Sequence, residues 1–391
     1  MKLYIFNPDT DLALADNRES YMPPAIIRSM AEDLALLPMW YAEPGSAVLA
    51  ASAYNSEYMK QMKSKFLLPV TLLTVPELSE HPDVRLMPWG WNPALRYRLA
   101  KAGVPDVCLP SGEQMTVYRQ LSGRNHHVHL LDTFKDWSLC CGEARTLTTL
   151  QDCRQLAQKY PYCVFKSPWS GSGKGLCWCY GNYGDSVEKW CSRVLKEQGF
   201  LVGSPIYNKV LDFAMEFYSD GKGCVAFVGY SLFETNRKGA YQGNTLADDE
   251  TIEQILTASY LPKNLLADVR EHLCRQLALC YGSSYTGYVG VDMMVCTGES
   301  AIDYRLYPCV EVNLRMNMGV LSSLFSQRYL AFGATASFQV KYYPDNDSLR
   351  RECASLAASH PLVVGNGRMK SGFLPLVPVT PRSRYVAFVL G

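Results

Sequence analysis

Pro308-Cys309-Val310-Glu311-Val312-Asn313-Leu314-Arg315-Met316-Asn317-Met318-Gly319 sets three polar side chains at every second position of an otherwise apolar run. A strand sends i, i+2 and i+4 to one face, so this period predicts Glu311, Asn313 and Arg315 on one side and Val310, Val312 and Leu314 in a core. A carboxylate, an amide and a guanidinium on one face are costly to bury unless something pairs them. A divalent cation carrying phosphate is such a partner. Carboxylate and amide oxygens are hard ligands of the kind Mg2+ takes, with water and substrate phosphate completing its shell. The motif alone leaves a solvated edge strand open as the alternative.

Upstream, Tyr288-Val289-Gly290-Val291-Asp292-Met293-Met294-Val295 reads as a second strand holding one acid. The turn-forming Thr297-Gly298-Glu299-Ser300 between the two predicts an antiparallel pair, in which Asp292 adds an oxygen donor to Glu311 and Asn313. Further back, Tyr162-Cys163-Val164-Phe165-Lys166 is a short apolar strand ending in lysine. It runs into Ser167-Pro168-Trp169-Ser170-Gly171-Ser172-Gly173-Lys174-Gly175, a loop whose backbone N–H groups and lysines suit phosphate oxygens. This loop is no Walker A motif, because Pro168 stands where that motif begins and Gly175 follows the lysine in place of Ser or Thr. The dinucleotide fingerprint fails too, lacking its third glycine. A hairpin tip remains the plain reading of the loop by itself.

In this order and spacing the lysine-ended strand with its glycine-rich loop, the Asp-bearing strand and the E-x-N strand resemble the ATP-grasp superfamily over residues 110–335. The resemblance implies a mixed α/β and α+β architecture. A parallel α/β domain over 1–110 precedes a two-subdomain ATP-grasp fold, with a small subdomain over 111–200 carrying the loop and a large one over 201–335 carrying the metal site. Residues 336–391 form an extension to which the resemblance gives no role. It further implies ATP and Mg2+ as cofactors: Lys166 and Lys174 as phosphate contacts, Ser170, Gly171, Ser172 and Gly173 as the phosphate cover, and Asp292, Glu311 and Asn313 as metal ligands with Glu311 bridging two ions. The segment Phe200–Lys209 stands where family members line the adenine pocket, which makes Tyr207 and Lys209 nucleotide contacts. Two departures matter. Ser204 replaces a common glutamate, and Gly290 stands where some members keep a catalytic arginine, leaving Arg315 or Arg237 to supply that charge. Arg124 stands where the family keeps a basic phosphate contact. The implied reaction activates a small carboxylate as an acyl phosphate and joins it to an amine. A phosphotransferase and a non-catalytic nucleotide-binding module are the alternatives.

The 391 residues, 48% hydrophobic and 19% charged, allow two or three well-buried domains. A formal net charge of +1 gives no electrostatic case for nucleic acid or an acidic membrane surface. No apolar run approaches the ~18 residues of a membrane span, and the opening Met1–Asp9 is no secretory signal. The expectation is a soluble cytoplasmic protein acting on small carboxylate and amine molecules, with a homodimer left open. Fourteen cysteines lack C-x2-C spacing, and many alternate in apolar strands, as do Cys163, Cys177, Cys179, Cys224, Cys296 and Cys309; they read as core thiols. His126, His127 and His129 read as a polar turn.

Residues 1–110 alternate strand-like and helix-like segments: Leu3–Phe6, Pro23–Leu37, Ala47–Ala51, Ser56–Phe66 and Val70–Val75. This is the signature of βαβ units. Asn7-Pro8-Asp9-Thr10-Asp11 follows the first strand, at the edge where α/β sheets place ligands, although the same residues also make turns and caps. Ser111 caps a helix ending at Leu121. Alternation predicts strands over 212–218 and 224–233, then a glycine-rich loop with Arg237 and Lys238. A helix follows Gly319, and strands at 336–343 and 372–390 flank a polar helix near 347–359.

Overall fold

The first strand, β1 (Lys2–Ile5), lies inside a parallel sheet of order β3-β2-β1-β4, with β2 spanning Ser46–Leu49, β3 Val70–Leu73 and β4 Arg85–Pro88. Parallel strands covered on both faces need continuous apolar side chains, and Leu3, Tyr4 and Ile5 are all buried. Leu3, Ile5, Ala47, Leu86, Leu95 and Leu99 share one core with the helix Pro93–Lys101. The third strand stops two residues short of the expected Val75. Thr74 instead caps a 3-10 turn over Val75–Glu80, its backbone N–H donating to Glu77 Oε2 at 2.6 Å.

The computed structural model describes residues 1–50, 54–171, 175–298 and 303–391. It divides into two units. Unit 1 holds Met1–Thr116, Gln242–Ile252 and Arg315–Gly391, and unit 2 holds Val117–Tyr241 and Glu253–Leu314.

Unit 2 contains two sheets. The first has the order β5-β8-β6-β7, formed by β5 (Arg145–Leu147), β6 (Tyr162–Lys166), β7 (Leu176–Tyr180) and β8 (Leu201–Pro205). The helices Leu150–Lys159 and Asp185–Gln198 pack on it around Leu156, Cys163, Phe165, Cys179 and Cys191, so those thiols are core residues. The second sheet is antiparallel. Long strands β9 (Lys209–Asp220) and β10 (Val225–Thr235) pair with each other, after which the chain leaves the unit in β11 (Tyr241–Leu246). It returns as β12 (Thr286–Thr297) and β13 (Tyr304–Asn313), with β12 lying between β9 and β13. The helix Asn125–Asp132 packs on β13 and the helix Lys263–Tyr281 on β9 and β10. The three histidines therefore sit on a helix and not in a polar turn; its apolar face, with Val128 and Leu131, faces the core, and buries His127 as well.

The C-terminal residues belong to unit 1. There β11 pairs with β14 (Ala336–Tyr342), β15 (Val363–Gly365) and β16 (Arg368–Ser371) form a hairpin, and β17 (Phe373–Pro375) joins β18 (Tyr385–Leu390), which lies against β14. Trp40 Nε1 donates to Leu376 O at 2.8 Å and the Tyr58 hydroxyl to Pro375 O at 2.7 Å. These bonds tie the extension to the N-terminal residues. No helix among the described residues is long and apolar enough to cross a membrane.

Candidate active site

The antiparallel register brings the acidic strand positions together. Asp292 lies directly opposite Glu311 and Gly290 opposite Asn313. Asn313 Nδ2 donates to Asp292 Oδ2 at 3.1 Å, which turns the amide so that its oxygen is not spent on that contact. Two carboxylates and one amide oxygen on adjacent strands are a donor set that suits a hard divalent ion. No cluster of three or more His, Cys, Asp or Glu with metal-binding geometry occurs among the described residues, so such an ion would take the amide or phosphate oxygens as well.

Arg315 lies beyond the end of this strand. The strand stops at Asn313, because Asn317 caps the next helix, Met318–Tyr329, by accepting from Val320 N at 2.8 Å. The alternation that would have aligned Arg315 with Glu311 is lost. Arg315 belongs to unit 1, where its Nε lies 2.9 Å and its Nη2 2.8 Å from the Asp11 carboxylate. The strand alternation spans Glu311 and Asn313 and stops before Arg315.

Lys166 ends β6 and is 6% exposed, with Nζ donating to Val310 O at 3.1 Å. Burial pulls its pKa down to about 8 despite the attraction of Glu311. The residue that organises this corner is Arg124. It is buried, and its guanidinium donates to Ser167 O at 2.6 Å, Ser170 Oγ at 2.5 Å, Ser170 O at 3.0 Å and Glu311 Oε1 at 2.5 Å. One side chain thus fastens the start of the glycine-rich loop to the acidic strand. Trp169 adds a second anchor, its Nε1 donating to Arg119 O at 3.0 Å while the Arg119 guanidinium covers the ring at 3.8 Å. The loop closes where Ser167 N donates to Gly175 O at 2.9 Å, and a Cβ on Gly175 would meet the Ser170 and Ser167 hydroxyls at 2.0 and 2.1 Å. Only glycine fits that return. Ser170 and Gly171 are described; Ser172, Gly173 and Lys174 lie outside the described residues, as do Glu299 and Ser300.

His127 sits behind this corner with neither ring nitrogen hydrogen-bonded. Burial, reinforced by the positive charges of Lys166 and Arg124, holds its pKa well below the ordinary histidine value, so the ring is neutral.

Lys166, Asp292 and Glu311 form the polar end of a cleft of about 340 Å³ within unit 2. Its other walls are Val164, Leu176, Trp178, Ile206, Tyr207 and Met294, an apolar and aromatic lining between the two sheets. Ser204 lines it too, so the segment expected to border adenine does border a cavity. Lys209 lies at its edge, paired with the Asp212 carboxylate, and Thr235 Oγ1 donates to Asp212 Oδ2 at 2.6 Å. Sequence reasoning misses Asp212 as a site residue. Its signal is there, since it faces the same way as Ala214 and Glu216 in an alternating strand. Arg237 also lines the cleft, from the turn after β10. The fully buried Glu216 lies opposite Gly290 in the β9–β12 register.

No family model matches the chain, and no curated protein matches it in sequence. Solved structures do resemble it. The biotin carboxylase domain of 2-oxoglutarate carboxylase from Hydrogenobacter thermophilus, determined with MgADP, ADP and bicarbonate, superposes with a TM-score of 0.52 at 10% identity, covering 88% of this chain and 85% of that one. N5-carboxyaminoimidazole ribonucleotide synthetase from Thermus thermophilus superposes with a TM-score of 0.51 at 9% identity, covering 100% of this chain and 93% of that one.

Proposed function

The chain has the ATP-grasp fold, and on that scaffold we propose that it is a Mg-ATP-dependent carboxylate–amine ligase. One observation carries the reading: a single cleft in unit 2 joins an aromatic, apolar chamber to a corner where Lys166, Asp292 and Glu311 converge, with Arg124 and Asn313 bonded to its acids. That is the polarity profile of a nucleotide, flat and apolar at the base and highly charged at the phosphates. The MgADP held by the Hydrogenobacter domain supports this assignment.

In this reading the base stacks between Trp178 and Met294, and Asp212 accepts from ribose hydroxyls, the role that Ser204 cannot fill. Lys166 and the N–H groups of the glycine-rich loop hold phosphate oxygens. Asp292, Glu311 and Asn313 would hold Mg2+, which when bound neutralises phosphate charge that otherwise repels a carboxylate. A substrate carboxylate oxygen attacks the γ-phosphorus, the bond to the β–γ bridging oxygen breaks, and ADP leaves. The amine nitrogen then attacks the acyl carbon, phosphate departs with the carbon–oxygen bond electrons, and the nitrogen loses a proton. Arg237, on the turn lining the cleft, supplies positive charge to the transferred group. Arg124 keeps the loop seated, so that water is kept from the acyl phosphate.

The test is incubation with Mg-ATP and pools of small carboxylic acids and amino acids. Release of both ADP and phosphate with a condensed product supports the ligase. A phosphorylated metabolite would identify a phosphotransferase, and tight ATP binding without turnover a nucleotide-binding module.

A further inference from the structure

The hairpin of β15 and β16 turns at Asn366 and Gly367, whose φ values of 53° and 71° are both left-handed. An Asn-Gly pair favours that conformation, and it fixes which residue leads β16. Arg368 does. Its Nη1 donates to Leu330 O at 2.7 Å and its Nη2 to Gln327 O at 2.8 Å, so it closes the carboxyl end of the helix Met318–Tyr329. The last turn of that helix carries a second arginine. Arg328 Nη1 donates to Tyr41 O at 2.7 Å and to Ala42 O at 3.0 Å, just before β2 begins.

Both arginines line one cavity of about 420 Å³ within unit 1. Its other walls come from the amino ends of the parallel sheet: Pro44 ahead of β2, and Leu67 and Pro69 ahead of β3, with Gly45 N donating to Pro69 O at 2.8 Å. Tyr329 and the Asn366 tip complete it. The charge around this space is one-sided. Among the described residues both guanidiniums donate only to backbone carbonyls and meet no carboxylate. Glu43, the acid between the wall residues Ala42 and Pro44, is taken by Lys2 Nζ at 2.5 Å. Nε and Nη2 of Arg328 and Nε of Arg368 keep no acceptor among the described residues, and none of the three is sealed from solvent.

Helix capping accounts for part of this charge and not for all of it. A helix carboxyl end carries roughly half a negative charge, against two full positive ones here. A phosphomonoester, with a charge of about −1.5 to −2 near pH 7, answers both guanidiniums with one group, whereas a monocarboxylate leaves one unanswered. Planar guanidinium forks suit its oxygens. Pro44, Leu67, Pro69 and Tyr329 offer an apolar wall to an organic body, and the volume falls within the ~300–1,000 Å³ of small-molecule sites. We propose that this cavity, at the amino edge of the unit 1 sheet, binds a small organic phosphomonoester, its phosphate on Arg328 and Arg368 and its body against Leu67 and Tyr329. The site does not rest on the ligase reading of unit 2.

The test is calorimetric titration of the full chain with phenyl phosphate, inorganic phosphate, benzoate and succinate. Phenyl phosphate is expected to bind at least tenfold more tightly than inorganic phosphate, which lacks the body, and than benzoate, which lacks the second charge. Leu67 is 81% exposed, so it can be exchanged with the fold intact. Leu67→Glu should weaken phenyl phosphate tenfold or more and Leu67→Lys should leave it level or tighten it, both at an unchanged melting temperature. Arg368→Gln should weaken it by a similar factor, while Lys166→Ala, which removes a phosphate contact of unit 2, should leave it unchanged. Absence of phenyl phosphate binding, binding that survives both Leu67→Glu and Arg368→Gln, or tighter binding of succinate overturns the proposal and leaves the two arginines as helix caps only. Loss in Lys166→Ala alone assigns the anion to unit 2 and overturns it equally. MgATP binding measured on the same samples reports on the nucleotide reading, so the two fail separately.

Discussion

Buried charge is handled in two ways in this molecule. In unit 2, Arg124 makes four hydrogen bonds to two loop residues and Glu311, so that a cation with 5% of its side chain exposed is almost fully compensated. In unit 1, Asp9 is buried to a similar degree, yet one of its oxygens has no hydrogen-bond partner and only a long ion pair, Arg98 Nη2 at 3.9 Å. A compensated charge fastens structure together, because removing one member strands the others. An uncompensated one is a cost the fold carries until something else answers it.

The sharpest way to test the compensated side is at Glu311. Glu311→Gln keeps the size and the contact with Arg124 but removes a carboxylate argued to hold metal. ADP formation should fall by about a thousandfold or more with the fold intact. Wild-type turnover in this variant would break the metal assignment. Asn313→Ala should be milder, since water can replace a neutral ligand.

Arg124→Met tests whether the clamp is structural. It strands Glu311 and three acceptor atoms of Ser167 and Ser170, and a loss of about 3–5 kcal/mol in denaturant unfolding is expected, as for other broken buried pairs. A loss below about 1 kcal/mol would mean that the loop is held by Trp169 alone.

Lys166→Ala should raise the ATP concentration needed for half-saturation by about tenfold, a charge-assisted contact being worth ~1.5–3 kcal/mol, and more than Lys174→Ala does. Lys166 is fixed at the end of β6. Nucleotide titration of both variants decides the order, and unchanged affinity in both would reduce the segment to a hairpin tip.

Lys166 also makes a pH prediction. Its folded pKa of about 8 lies below the unfolded value, so between the two the unfolded chain binds more protons and stability rises with pH. Stability should therefore increase as pH rises through about 8, while phosphate affinity through this lysine falls. Lys166→Met should flatten that part of the stability curve; an unaltered slope would place the titration elsewhere.

The smallest effect belongs to Arg315. Arg315→Lys keeps the charge but loses the paired fork on Asp11, in a half-buried setting, and should cost about 1–2 kcal/mol. Early melting with proportionate loss of activity marks a structural ion pair. Loss of activity at an unchanged melting temperature would restore Arg315 to the chemistry.

Much of the site is legible because its elements are local patterns. Lys166 at the end of an apolar strand, Asp292 and Glu311 on neighbouring strands, and Asn313 two residues beyond Glu311 follow from period-2 alternation, and the antiparallel register then places Asp292 opposite Glu311. Alternation cannot show where the strand ends. Arg315 continues the sequence pattern, yet the Asn317 cap ends the strand first, a competition between two local signals that favours the helix start. The early alternation of strands and helices likewise suffices for a parallel sheet, with ends shifted where Thr74 caps a 3-10 turn.

Short-range choices are written in the residues themselves: which segments pleat, which coil, and which polar residues share a strand face. These depend on neighbours within a few positions. Long-range meetings had to wait for the folded chain. Arg124 reaches a carboxylate 187 positions away, residues 315–391 join the N-terminal residues in one unit, and Asp212 borders the same cleft as Lys166. Alternation can show which way such a side chain faces, as for Asp212, but no period in the chain records which distant residue it will meet, because a single side chain filling a single gap repeats nothing.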